Sequence, residues 1–320
     1  MKCHLPYDTF AKLTLLQSYF DQAIEISRLL NIKLATRKWD GQRIAMCGFP
    51  LMHIDKYLKV LVQTNKRFVA MCEEFPKYLA AGTKEFERRV VRVITPGTLI
   101  DESFLNQYEN NYLLAVSAEA APQCPIGLAW IDVSTGEFYS KLATTETFRD
   151  EITRIGPREI LLPKHFQLEQ SHPILEAVRE EHSFMTFVDQ VPRTVTPTDT
   201  QNVLLETEDG SPISHVLPED VTAPMATTST YTPEETSAIE ILTGYLRINL
   251  LEHMPPLLLP NREDANRRMQ IDSHTIKALE IRESIREGGV TGSLLSVVKR
   301  TITSSGTRLL TKWLCMSRCC

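Results

Sequence analysis

Between Ile54 and Val62 the apolar residues keep helical spacing. Ile54, Tyr57, Leu58, Leu61 and Val62 follow the i, i+3, i+4, i+7, i+8 pattern of an amphipathic helix. Lys56, Lys59 and Lys66 lie off that stripe, so the outer face is basic. Upstream, Phe20, Ala23, Ile24 and Ser27 predict a helix over 20–30 that Asn31 can end. Ile32–Arg37 and Arg43–Cys47 read as short strands, and Asp40-Gly41 between them is a hairpin signal. Gly48-Phe49-Pro50 is expected to break the second strand. Arg67–Cys72 is a further strand, followed by a polar helix or loop and a strand over 88–94. The order α-β-β-α-β-(α)-β predicts a small mixed α/β domain.

Thr95-Pro96-Gly97-Thr98 stops that last strand, and Pro followed by Gly predicts a type II turn with positive φ at Gly97. Beyond it, Tyr112–Ser117, Ile126–Val133 and Glu137–Leu142 read as three meandering strands, the last two joined at Ser134-Thr135-Gly136. A helix near 146–154, strand Glu159–Leu162, a helix near 173–182 and strand Phe184–Val188 follow. That order predicts a ribonuclease-H-like α/β domain. Periodicity disappears over 191–231, where Thr, Pro, Asp and Ser dominate, so this stretch reads as a flexible linker. Thr232-Pro233-Glu234-Glu235 then opens a helix with a capping box and Pro in the first turn. Met269–Asp272 is extended, Ser273 caps a helix carrying Ile276 and Leu279 that Gly288-Gly289 ends, and a last helical run covers 304–314.

Charge divides the chain at the same seam. Residues 1–100 hold 16 Lys/Arg against 9 Asp/Glu, and the rest holds 19 against 31. A basic front and an acidic rear imply different partners. No run of 18 apolar residues occurs, so no membrane partner is expected. Seven cysteines without a Cys-x-x-Cys read as reduced thiols of an intracellular protein. Adjacent Cys319 and Cys320 lack the spacing of a zinc site.

Five motifs then carry a resemblance. Met46-Cys-Gly-Phe-Pro50, Val90-Val-Arg-Val-Ile-Thr-Pro-Gly-Thr98, Asp132-Val-Ser-Thr-Gly-Glu-Phe138, Leu279-Glu-Ile281, and Gly292-Ser-Leu-Leu295 through Gly306-x-Arg-Leu-Leu310-x-x-Trp-Leu314 resemble the MutS family of DNA mismatch-repair proteins. They occur in the family's order across nearly all of 19–314. The resemblance implies an α/β multidomain chain. A mismatch-recognition domain covers 1–95 with an atypical start, a connector domain covers 108–190, the linker covers 191–231, and the truncated start of an all-α lever or core domain covers 232–320. The implied partners are duplex DNA with mispairs and a MutS-type dimer partner. Thr36–Gln63 is most similar to eukaryotic, mitochondrial homologues, so mitochondrion or nucleus is the expected location. The family's ATP and Mg belong to its ATPase domain. No Gly-x-x-x-x-Gly-Lys-Ser/Thr occurs, so neither a cofactor nor an enzymatic activity is expected of this chain.

The family reads a mispair with a Phe-x-Glu motif just before a Tyr/Phe-x-Asp-x-Ala helix start. Tyr19-Phe20-Asp21-Gln22-Ala23 matches that start, which places Leu15 at the aromatic wedge and Gln17 at the carboxylate. Leu15 as a wedge, and Leu13, Leu15 and Leu16 as plain core or a loose start, are both open readings. Arg37, Lys38 and Arg43 flank the hairpin tip as phosphate contacts or as an ordinary solvated turn. Met46, Gly48 and Pro50 resemble the family loop beside DNA, with Met46 equally suited to core. His53 and Lys56 stand where a helix start favours phosphate. Asp132, with Glu137 and Glu159 on neighbouring strands, raises a different class, a metal-dependent nuclease. The bland reading is that Asp132 braces the turn that follows it. An inert fragment that binds nothing is the third reading.

Overall fold

A computed structural model of the chain describes residues 10–12, 15–39, 41–78, 84–101, 103, 105–119, 124–168, 172–189, 231–263 and 271–315. The expected linker over 191–230, the Met269–Gln270 end of the extended piece and the Cys319-Cys320 tail lie outside the described residues.

The front unit begins with strands β1 (Phe10–Lys12) and β2 (Leu15–Tyr19), then helix α1 (Phe20–Leu30). Asn31 ends α1 in the left-handed conformation, a common helix stop. The buried face of α1 is Ala23, Ile26 and Leu30; Phe20 points to solvent, so the stripe is rotated from the expected one. Strands β3 (Ala35–Trp39) and β4 (Gln42–Pro50) pair antiparallel, with Trp39 opposite Gln42 and Gly41 at φ +77°. The four strands form one sheet in the order β1-β2-β4-β3. Strand β4 runs straight through Gly48-Phe49-Pro50, against expectation. Its second edge pairs with β2 there, and Pro50, with no N–H to give, ends the strand opposite Leu15.

Helix α2 (Ile54–Leu58) continues as a π-helical stretch, Lys59–Thr64. Leu58, Leu61 and Val62 of this stripe meet Ala23, Ile26, Cys47 and Phe49 in the front core. Strands β5 (Val69–Tyr78) and β6 (Lys84–Ile94) form a long antiparallel hairpin. Of the polar helix or loop expected before residue 88, the described residues 73–78 and 84–87 are strand instead. Cross-strand pairs such as Arg88 with Glu74, 2.7 Å apart, replace the apolar alternation that would have marked it.

The second unit holds β7 (Tyr112–Ser117), β8 (Ile126–Asp132), β9 (Glu137–Ala143), α3 (Thr145–Ile155), β10 (Glu159–Pro163), α4 (Pro173–Glu180) and β11 (Met185–Val188). β7, β8 and β9 form an antiparallel meander, and β10 runs parallel to β7 and β11 to β10. Leu114, Val116, Leu128 and Trp130 face α3 and α4. Their alternates Leu113, Ala115, Ala129 and Ile131 face helix α5 (Pro233–Leu250) through Ala238, Leu242, Leu246 and Leu250, all fully buried. With both faces covered, the strands read as continuous apolar runs.

Helix α5, expected to open the all-α lever or core domain, packs instead on the second sheet. Each buried Leu contributes about 1.5–3 kcal/mol on this sheet. At Gly127 of β8 a Cβ would collide with the Glu234 backbone, so only glycine admits the start of α5 so close. Thr232 and Glu235 form the expected capping box. Strand β12 (Asn261–Arg262) then adds to the sheet edge beside β9.

Three short helices close the described chain: α6 (Ser273–Ala278), α7 (Leu294–Val298) and α8 (Ser304–Cys315). Asp272, not Ser273, caps α6, accepting from the Thr275 amide at 3.0 Å. α6 ends at Ala278, ten residues before Gly288, which sits in a later turn. Their shared core is small, Ile276, Ile281 and Cys315, and Ile302, Leu309 and Trp313 stand exposed.

Candidate nucleic-acid interface

The register of the front sheet decides which candidates share a face. Directly opposed residues lie on one side, so positions 15, 17 and 19 of β2, 46, 48 and 50 of β4, and 35, 37 and 39 of β3 belong to the same face. The other face carries Cys47 and Phe49 into the front core. Gln17, Met46, Gly48, Pro50 and Arg37 thus come together on the outer face, and Leu15 occupies its far end opposite Pro50. Met46 is half-buried there and does not join the front core. Gln17 accepts a hydrogen bond from the Tyr19 hydroxyl.

Lys38 and Arg43 are opposed to each other on the reverse side of the hairpin tip, both exposed. Two like charges in direct opposition destabilise a strand pair unless an anion lies between them. His53 and Lys56 stand exposed beyond the end of β4, packed loosely about Tyr57 at 6.5 and 5.8 Å from its ring.

The sequence did not offer Trp39 as a residue of this face. Trp39 is 53% exposed and contacts Tyr19 edge-to-face at 6.4 Å between ring centroids. The available signal was Trp39 at period two from Arg37, one residue before the Asp-Gly turn.

The carboxylates of the second unit are engaged elsewhere. Asp132 accepts from the Asn111 amide at 3.0 Å and from the Ser134 amide and hydroxyl at 3.0 and 2.6 Å, which is the bracing arrangement. Glu159, fully buried, accepts from the Thr95 hydroxyl at 2.6 Å, the Gly97 amide at 2.8 Å, Thr186 at 2.7 Å and Tyr245 at 2.8 Å. Burial, and then the Glu159 carboxylate, push the Tyr245 phenol well above its usual range. Glu137 accepts from the Tyr112 hydroxyl at 3.0 Å. Burial first, and the Glu137 charge second, raise the Tyr112 phenol. No group of three His, Cys, Asp or Glu arranged for a metal occurs among the described residues. The nuclease reading therefore gains no support from this geometry.

The 95–98 turn also differs from expectation. Thr98 bonds back to Thr95 at 3.2 Å, yet Gly97 has no positive φ, so the turn is not type II. Gly97 is needed for proximity: a Cβ would sit 2.6 Å from Leu113 Cδ1 and 3.0 Å from Glu159 Oε2. Cys47 and Cys72 are free buried thiols, and burial raises both above the ordinary thiol range.

Three family models match this chain in succession: MutS domain I over residues 11–103, MutS domain II over 111–258 and MutS domain III over 274–316. The chain belongs to the MutS family. It is 32% identical to the DNA mismatch repair protein MutS of Bartonella quintana over 298 residues, covering 91% of this chain and 31% of that protein. Against the MutS of Rhizobium meliloti it is 34% identical over 300 residues, covering 91% and 31%. Against that of Dinoroseobacter shibae it is 31% identical over 301 residues, covering 92% and 32%. The chain thus spans about a third of the length of these relatives, all bacterial. The domain II match runs through α5, in agreement with its packing on the second sheet. No helix among the described residues is long and apolar enough to cross a membrane.

Proposed function

We propose that this chain is the DNA-contacting N-terminal portion of a MutS-type mismatch-repair protein and performs no chemical step itself. The observation that carries the reading is the outer face of the front sheet. It brings Gln17, Met46, Gly48 and Pro50 beside Arg37, with the opposed Lys38 and Arg43 at the tip. None of the three tip cations forms an ion pair with a described residue, and phosphates supply the missing anions. Phosphate contacts set register and orientation, and deformation of the duplex at a mispair supplies discrimination.

ATP and Mg chemistry, and dimerisation with a second MutS-type chain, belong in this reading to the remainder of the full-length protein. We assign α5 to the connector unit and begin the lever region near α6. A mitochondrial or nuclear location rests on the Thr36–Gln63 segment alone.

The test is binding of homoduplex DNA over a range of salt, by the chain and by a variant carrying Arg37→Ala, Lys38→Ala and Arg43→Ala. The slope of log affinity against log salt should be less steep in the variant by about 0.9 for each phosphate contact removed. An unchanged slope would take the hairpin tip out of the interface.

A further inference from the structure

Three parts of the chain wall a cleft of about 1160 Å³. The front unit contributes Lys59 and Lys66, the second unit the turn that follows α3, and the last helices Lys299, Arg308 and Lys312. None of Gln17, Arg37, Lys38 or Arg43 lines it. Its charge runs against the composition of the chain. Residues 101–320 are acidic, with 19 Lys/Arg against 31 Asp/Glu. The cleft wall carries nine Lys/Arg against four Glu, and seven of the nine come from that acidic part. Three of the four acids are already matched, Glu109 by Arg158, Glu180 by Arg149 and Glu181 by Lys277.

Arg282 and Lys66 turn to backbone carbonyls, those of Thr153 at 3.1 Å and His182 at 3.5 Å. Lys59, Lys299 and Arg308 pair with no carboxylate or carbonyl among the described residues. Lys299 stands over the Tyr108 ring, 4.1 Å from its centre, and Arg308 approaches the Ser305 hydroxyl at 3.5 Å. Both cations are half-buried, where a charge without a counter-ion is costly. Arg308 and Lys312 stand one turn apart on the same side of α8. Tyr108 lines the same cleft and is 47% exposed.

We propose that this cleft binds a short single strand of nucleic acid, with its phosphates on Lys59, Lys299 and Arg308 and a base against Tyr108. A basic groove with an aromatic platform is how single strands are held without regard to sequence. The free cations come from two walls, which suits a phosphate chain that crosses the cleft. The cleft is also larger than the roughly 300–1,000 Å³ of small-ligand pockets. Paired bases offer the ring no face, so a duplex gains nothing from Tyr108. The site is separate from the outer face of the front sheet and does not depend on it.

The experiment follows the anisotropy of a labelled oligothymidine of about twelve nucleotides, within the site sizes of single-strand binders, over a range of salt. It compares the full chain with Lys299→Ala plus Arg308→Ala, with Lys59→Ala, with Tyr108→Ala, and with the triple Ala variant of the hairpin tip. The double variant should make the salt slope less steep by about 1.4, or 0.7 for each phosphate contact, and Lys59→Ala by about 0.7. Tyr108→Ala should weaken binding at least about fivefold. Lys59 is exposed on the opposite unit, so its variant decides even where the double variant fails to fold. The hairpin-tip variant should keep its affinity for the oligothymidine. Three results would overturn the proposal: no binding of the oligothymidine at low salt, an unchanged slope in Lys59→Ala and the double variant, or an equal loss in the hairpin-tip variant. Inorganic tripolyphosphate that displaces the strand as well as unlabelled oligothymidine, at equal phosphate, would overturn it in favour of a free phosphate chain. The homoduplex salt slope, set by the hairpin tip, tests the earlier reading separately.

Discussion

The hydroxyl of Thr95 donates to the carboxylate of Glu159 at 2.6 Å, across 64 residues of sequence. That bond, with the Gly97 amide on the same oxygen, fastens the end of the front unit to the first residue of β10. The other oxygen holds Thr186 on β11's strand and Tyr245 on α5. One carboxylate therefore ties the seam, the sheet and the covering helix together.

Removing it should be costly. Glu159→Ala leaves several buried donors without an acceptor, each worth about 1–3 kcal/mol when unsatisfied. A loss of at least about 3 kcal/mol is expected from urea unfolding. Gly97→Ala should cost about 1–3 kcal/mol through overpacking against Leu113. A loss below about 0.5 kcal/mol for Glu159→Ala would show that the hub is not formed in solution.

A buried ion network should give the chain an acid-labile side. Glu151 meets Lys141 at 2.5 Å and Arg154 at 2.5 Å, and Arg154 also meets Glu263 at 3.0 Å. Burial opposes ionisation of Glu151, but Arg154 and Lys141 outweigh it and hold the carboxyl below its ordinary value of 4.5. A carboxyl depressed in the folded state contributes stability that is complete above its unfolded pKa. That contribution is lost as pH falls through the folded-state value. Stability should therefore drop on acidification below about pH 4.5. Glu151→Gln should cost about 3–5 kcal/mol at neutral pH, since it leaves two buried cations with a weaker partner. The variant should also lose less on acidification than the wild type. Equal pH dependence of the two proteins would remove Glu151 from this role.

Helix α5 and helix α8 should behave differently in hydrogen exchange. Leu242 and Leu246 are fully buried against the second sheet, whereas Leu309 and Trp313 of α8 are exposed. The amides of α5 should exchange near the global rate and those of α8 much faster. Leu246→Ala should cost about 2–5 kcal/mol. Comparable protection of both helices would mean that α8 has found cover that its exposed residues do not indicate.

What the sequence made legible was local. The Ile54–Val62 stripe, the Asp-Gly hairpin, the meander over 112–142 and the capping box at Thr232 each depend on residues a few positions apart. What escaped was set by distant partners. Pro50 ends a strand it was expected to interrupt because Leu15, far upstream, pairs with it. The β5–β6 hairpin hid behind charged cross-strand pairs. The sheet that receives α5 lies about a hundred residues earlier, across a stretch without periodicity. At the candidate interface the motif resemblance led to Gln17, Met46, Gly48 and Pro50. Only the register showed that Lys38 and Arg43 oppose each other behind that face and that Trp39 stands on it.

Leu15 and Gln17 should limit discrimination between mispaired and paired DNA. An aliphatic side chain offers less stacking surface than an aromatic one, and the Gln17 carbonyl is already engaged by Tyr19. Leu15→Phe with Gln17→Glu should raise the mispair preference severalfold, toward the roughly 1–3 kcal/mol typical of one well-stacked base. An unchanged preference would show that β2 does not present these two positions to the duplex.

The most direct measurement is a titration of the chain with a homoduplex and a one-mispair duplex at two salt concentrations. The expected result is binding to both, with affinity falling by about 0.9 log units per tenfold salt for each phosphate contacted. The mispair preference should stay below roughly tenfold, or about 1.4 kcal/mol. Absence of binding to either duplex at low salt would contradict the proposed function outright, whatever family the chain belongs to.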